Sequence, residues 1–273
     1  MITEFDLTLD DGHTLHAYDT GSGSLAVFWH HGTPNLGTPP KPLFAASERL
    51  GIRWVSYDRP AYGGSTAKRG RTIGSAAEYV TAVADRLGIE RFAVMGHSGG
   101  GSHALACAAL LPDRVQAAIS AAGLAPFTMP DWYAGMCASG VKSLTTAAQG
   151  REAKAAWESS GVDYDPEFTP NDIAALHGDW AWFDEIVGPA VVDGPEGLID
   201  DDVAYVLPWG ADPARITAPV LLLHGDQDRV VPAAHGRWLA EVIAGAQLRV
   251  LPGEGHISVL NGAVAALEWL REQ

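Results

Sequence analysis

Residues Phe92-Ala-Val-Met-Gly-His-Ser-Gly-Gly-Gly-Ser-His-Ala-Leu-Ala-Cys-Ala-Ala-Leu-Leu111 decide how this chain is read. Phe92 to Met95 is a short continuous apolar run, as expected of a strand buried on both faces. Ala104 to Leu111 reads as an apolar helix. Between them, Gly96-His97-Ser98-Gly99-Gly100 fits G-x-S-x-G in its strand-to-helix setting, the signature of a nucleophile elbow. Such a turn forces Ser98 into a strained backbone conformation and leaves no room for side chains at Gly96 and Gly100. In return it exposes the serine hydroxyl at a helix N-terminus, where the dipole favours negative charge. A dinucleotide-binding loop competes for the same residues, because Gly99 to Ala104 fits the loose pattern G-x-G-x-x-A. That loop needs its glycines directly after the strand and an acidic residue about 20 positions on. Here the turn is already taken, and Ser120-Ala121-Ala122 stands where the acid belongs.

Working outward, the same short apolar runs recur. Phe5 to Leu9 and Thr14 to Tyr18 predict strands flanking an Asp10-Asp11-Gly12 turn. Further strands are expected at Leu25 to Trp29, Trp54 to Tyr57, Val115 to Ile119, Pro219 to His224 and Gln247 to Leu251. Helical periodicity covers Ile73 to Leu87, Ala233 to Ile243 and Val259 to Leu270. Buried strands alternating with helices predict an α/β fold with a mostly parallel sheet covered on both faces. From about Pro126 to Asp212 the rhythm breaks into helical patches rich in acids and in tryptophan. This stretch reads as a helical insertion, its tryptophans either forming a small core or lining a pocket.

The 273 residues carry a net charge of −15, 47% hydrophobic residues and two cysteines. That apolar content is enough for a large core and excludes wholesale disorder. The acidity argues against nucleic-acid binding, which needs a basic stripe. Cys107 and Cys137 make no disulfide framework and no C-x-x-C metal or redox motif; both fall in helical stretches and read as small buried apolar residues. The N-terminus lacks the pattern of a signal peptide, and the apolar stretch Ala104 to Leu111 is too short to span a bilayer, so a cytoplasmic protein without membrane association is expected. Asp200-Asp201-Asp202 reads as a solvated loop or helix start.

A serine is a weak nucleophile without a base and a group that orients the base. On an elbow-bearing sheet the chain order should be serine, acid, histidine. Leu221-Leu-Leu-His-Gly-Asp226-Gln-Asp228 puts two acids just beyond a strand, and Gly253-Glu-Gly-His256 puts a histidine beyond the next. Both lie at the strand ends where Ser98 also lies, the edge at which open α/β sheets bind ligands. His30 and His31 do not read as a metal pair, since neighbours in a strand point to opposite sides.

With these residues the sequence resembles the α/β-hydrolase superfamily, in the branch of esterases, lactonases and proline iminopeptidases. The matching stretches, which extend the likeness over nearly the whole chain, are His30-His31-Gly32-Thr33-Pro34, Tyr57 to Ser65, His224 to Pro232 and Gly253 to His256. The resemblance implies a core of residues 1–126 and 213–273 and a helical cap of residues 127–212. It implies a Ser98, Asp228, His256 triad, with Asp226 bracing its loop. It also implies an oxyanion hole from the backbone N–H groups of Thr33 and Gly99, and a packing and loop-bracing role for Tyr57 to Ser65. The expected activity is hydrolysis of a carboxylic ester or related acyl bond without cofactor or metal, on a small molecule with a hydrophobic group. Trp132, Trp180, Trp182 and Trp209 stand as candidates for binding it. The alternatives are C–C bond hydrolysis, a non-catalytic ligand-binding role, or an aminopeptidase whose cap acids (among Glu152, Glu158, Asp179, Asp184 and Glu185) hold a free amine. The absence of a tryptophan beside Ser98 counts against the peptidase.

Overall fold

Eight strands form one sheet in the computed structural model, which describes residues 2–273. In chain order the elements are β1 (Thr3–Thr8), β2 (Thr14–Asp19), β3 (Leu25–His30), α1 (Phe44–Leu50), β4 (Ile52–Tyr57), α2 (Ala76–Arg86), β5 (Phe92–His97), α3 (Gly99–Leu110) and β6 (Val115–Ala121). There follow α4 (Ala138–Ala147), α5 (Arg151–Ser159), α6 (Pro170–Leu176), α7 (Phe183–Ile186) and α8 (Glu196–Val206). The chain returns to the sheet with β7 (Val220–Gly225), α9 (Ala234–Val242), β8 (Gln247–Leu251) and α10 (Ala263–Arg271). The spatial order is β1-β2-β4-β3-β5-β6-β7-β8. β1 and β2 are antiparallel to their neighbours, and the pairs from β4 to β8 are parallel.

The continuous apolar runs follow from burial on both faces. Successive side chains of a strand point to opposite sides, and each side has its own core. Phe28, Val55, Val94, Ala118 and Leu222 pack on one face with α2 and α3. Val27, Trp29, Trp54, Met95, Ile119 and Leu223 pack on the other with α10. A polar residue on these strands would lose solvation on either side, so neither face shows alternation. Every strand expected from the sequence is present. The helix α1 is an addition that sequence reading did not place. Cys137 precedes α4 as its N-cap, its sulfur accepting from the Gly140 N–H, rather than lying within a helix.

All of α4 to α8 lies between β6 and β7. Here Asp200-Asp201-Asp202 overturns the expectation of a solvated segment: all three are buried within α8. Each has its own cation, Arg151 for Asp200, Arg59 and Arg71 for Asp201, and Lys154 for Asp202. A buried carboxylate is tolerated only with such pairing. Among the described residues, no helix is long and apolar enough to cross a membrane.

Candidate active site

The turn from β5 into α3 holds Ser98 at φ 55° and ψ −131°, a left-handed conformation rare for any residue but glycine. The crowding at this turn explains the neighbouring glycines. A methyl group at Gly96 would stand 2.1 Å from the Gly100 carbonyl oxygen, and one at Gly100 would stand 2.0 Å from that of His30.

Asp228 lies in the loop after β7 and His256 in the loop after β8. Asp228 Oδ1 accepts from the N–H groups of Val230 and Val231 at 2.8 and 2.9 Å, which fixes the carboxylate plane. Its Oδ2 accepts from His256 Nδ1 at 2.8 Å. With that proton on Nδ1, Nε2 is left as the acceptor facing Ser98 Oγ at 2.9 Å. Asp228 and His256 are buried and Ser98 is half-exposed. Asp226 lies apart from this line and accepts from the Gly253 N–H at 2.8 Å, tying the acid loop to the histidine loop.

Three anchors of His256 were not found from sequence. His97 Nε2 donates to the His256 carbonyl at 2.8 Å. Burial holds His97 down to about 3, so the ring is neutral. Asp172, at the start of α6, accepts at Oδ1 from the N–H groups of Ile257 and Ser258, both at 2.8 Å. Ser258 Oγ accepts from the Gly255 N–H at 2.7 Å. Only the T-x-x-D spacing Thr169 to Asp172 signals this locally, as a capping box, and it does not reveal the distant loop that Asp172 also binds.

The loop after β3 brings Gly32 and Thr33 beside Ser98; a methyl on Gly32 would lie 3.4 Å from Ser98 Cβ. Arg59 braces that loop through hydrogen bonds to the carbonyls of His31 and Gly32 and to Thr33 Oγ1. His30 and His31 go to separate partners, Cys107 and the Arg59 N–H, and no group of metal-ligating side chains occurs among the described residues.

Asp201 joins α8 to this loop. Its carboxylate binds Arg59, Arg71, Tyr62 and Thr33. Burial opposes its charge, but the two guanidiniums outweigh this and hold Asp201 well below the ordinary carboxylate range.

A cavity of about 470 Å³ opens onto Ser98 and His256. Leu124, Leu144, Val162, Phe168, Leu176 and Val187 make it largely apolar. Its charged lining is acidic, namely Glu158, Asp184 and Asp202, with no lysine or arginine. The four candidate tryptophans are not part of it. Trp132 and Trp209 lie in one apolar core and Trp180 and Trp182 in the other, all buried. Trp132 also edges a separate depression with Phe127 and Tyr133. Trp157, another of the insertion's tryptophans but not among those four candidates, does line the cavity.

A family model described as alpha/beta hydrolase fold matches residues 26–263. The chain is 28% identical to a 2-hydroxy-6-oxononadienedioate/2-hydroxy-6-oxononatrienedioate hydrolase of Cupriavidus pinatubonensis, over 92% of this chain and 88% of that protein. It is also 28% identical to a bifunctional esterase/perhydrolase of Acinetobacter calcoaceticus, over 92% of each. The enol-lactonase structure from Burkholderia xenovorans superposes with a TM-score of 0.73 at 23% identity, covering 98% of both chains.

Proposed function

The chain belongs to the alpha/beta hydrolase fold family, and from that premise we propose that it is a serine hydrolase cleaving a carboxylic ester or related acyl bond. The observation that carries this reading is the line of hydrogen bonds from Asp228 through His256 to Ser98. Ser98 Oγ attacks the carbonyl carbon while His256 Nε2 takes its proton, and Asp228 stabilises the imidazolium. The Thr33 and Gly99 N–H groups hold the oxygen as it becomes negative. His256 returns its proton to the leaving alcohol, then activates a water that releases the acid. These steps need only the protein's own groups and water.

In the same reading residues 127–212 serve as a cap that sets substrate choice, and the substrate is a small molecule with an apolar group suited to the cavity. A second reading, cleavage of a carbon–carbon bond beside a ketone, is favoured by the Cupriavidus relative. The dicarboxylate in that protein's name finds no lysine or arginine on this lining, where Glu158 and Asp202 already hold Lys154 between them and Asp184 adds a further carboxylate. An ester is the better fit.

The test is intact mass after incubation with a fluorophosphonate, wild type beside Ser98→Ala. One adduct on wild type and none on the variant is expected, and the absence of an adduct on both overturns the reading. A panel of p-nitrophenyl esters and amino-acid arylamides then separates ester from amide cleavage, with the esters expected to be preferred.

A further inference from the structure

The protons around Thr33 determine what the cavity wall offers a substrate. Asp201, held as a carboxylate by Arg59 and Arg71, can only accept, so the 2.5 Å contact with Thr33 Oγ1 uses the threonine's one proton. Thr33 Oγ1 then has only lone pairs left. One takes the Arg59 guanidinium at 3.1 Å and the other faces Tyr205 Oη at 2.6 Å. Tyr205 must therefore donate to Thr33, and its own proton is spent. Its remaining lone pairs border the cavity, which Tyr205 lines.

The position of that oxygen is specific. A methyl on Gly99 would stand 1.7 Å from Tyr205 Oη, so the hydroxyl rests directly on the Gly99 backbone. It thus stands beside both residues whose N–H groups are assigned to the oxyanion, an assignment on which this inference rests. A substrate whose carbonyl oxygen sits between those N–H groups reaches Tyr205 most directly from the adjacent carbon. The group there must be a hydrogen-bond donor, because Tyr205 has only lone pairs to give. A hydroxyl is the neutral group that meets this requirement, placing its one proton on Tyr205 Oη.

We propose that Tyr205 Oη is a specificity-determining acceptor and that the favoured acyl group carries a hydroxyl on the carbon next to the scissile carbonyl. A site built to pair with a hydroxyl discriminates strongly against the analogue that cannot donate.

Affinity, measured on protein that does not turn over, tests this separately from catalysis. Methyl mandelate has the hydroxyl, and methyl α-methoxyphenylacetate has an oxygen in the same place with no proton. Calorimetric titration of the Ser98→Ala variant should favour mandelate by about tenfold or more. The ratio should fall toward one in Ser98→Ala/Tyr205→Phe. In Ser98→Ala/Thr33→Val, the Tyr205 proton is freed to turn to the cavity, and the methoxy ester should gain relative to mandelate. Equal affinities in Ser98→Ala, failure of mandelate to bind, or a preference that survives Tyr205→Phe overturns the proposal. The fluorophosphonate experiment reports on Ser98 activation alone, so either reading can fall without the other.

Discussion

In the proposed mechanism the histidine that takes a proton from Ser98 works only while its ring is held at one angle, and single residues outside the Ser98–His256–Asp228 line do much of the holding. Asp172 presents one carboxylate oxygen to two consecutive N–H groups just past His256. Asp172→Ala leaves both buried donors without a partner and should cost on the order of 2–4 kcal/mol in urea unfolding. It should also lower kcat more than it raises KM, because the misplaced base affects the reacting state rather than binding. Ser98→Ala should lower kcat by about 10⁴-fold or more with its unfolding midpoint unchanged, since the half-exposed hydroxyl supports no packing. Residual turnover near wild type would remove Ser98 from the reaction. Ser98, Asp228 and His256 could be picked out from sequence because each follows a strand within a short motif. Asp172 and His97 could not. Their partners lie 85 and 159 residues away, and nothing in the intervening pattern links them.

Among the elements, α8 shows why some structure was legible and some was not. The strands announced themselves because burial on both faces demands an unbroken apolar run. A helix that buries carboxylates carries no such mark. Adjacent positions on α8 point about 100° apart, so Asp200, Asp201 and Asp202 meet three different sets of cations, from Arg151, from Arg59 with Arg71, and from Lys154. Those partners lie 48 to 142 residues from the acids, and the triplet alone looked like a surface run. The tryptophans misled for the same reason: an aromatic-rich insertion is equally compatible with a core and with a pocket until its packing is known. Energetically, α8 depends on its pairing. Asp201→Ala strands two buried guanidiniums and should destabilise the protein by about 3–5 kcal/mol, read as a lower urea midpoint with an unchanged slope. A loss below about 1 kcal/mol would mean that water reaches Arg59 and Arg71 in place of the carboxylate.

On the scale of the whole molecule, an interior populated by neutral histidines makes folding sensitive to acid. Burial holds His30 and His97 at about 3, and His224 and His235 at about 4. The unfolded chain takes up these protons near pH 6.5 and the folded chain refuses them. Stability is therefore nearly complete above about pH 7.5 and falls as the pH drops toward 4, approaching roughly 1.4 kcal/mol per pH unit for each histidine below about pH 6. His16 has the opposite sign, raised by Asp6 against the effect of burial, but it is half-exposed and contributes little. Urea midpoints at pH 8.0, 7.5 and 5.5 should be flat between the first two and lower at the third. A midpoint that holds at pH 5.5 would show that the buried rings reach solvent.

The bond between Ser98 and His256 closes across 158 residues of chain, with the whole helical insertion and three strands between them. During synthesis the serine leaves the ribosome long before its partner exists, by about 8–30 s at 5–20 residues per second. Throughout that interval the turn after β5 carries an ordinary alcohol. On the proposed chemistry the chain acquires its reactive oxygen last, when the loop after β8 docks, so unfinished copies are silent rather than promiscuous.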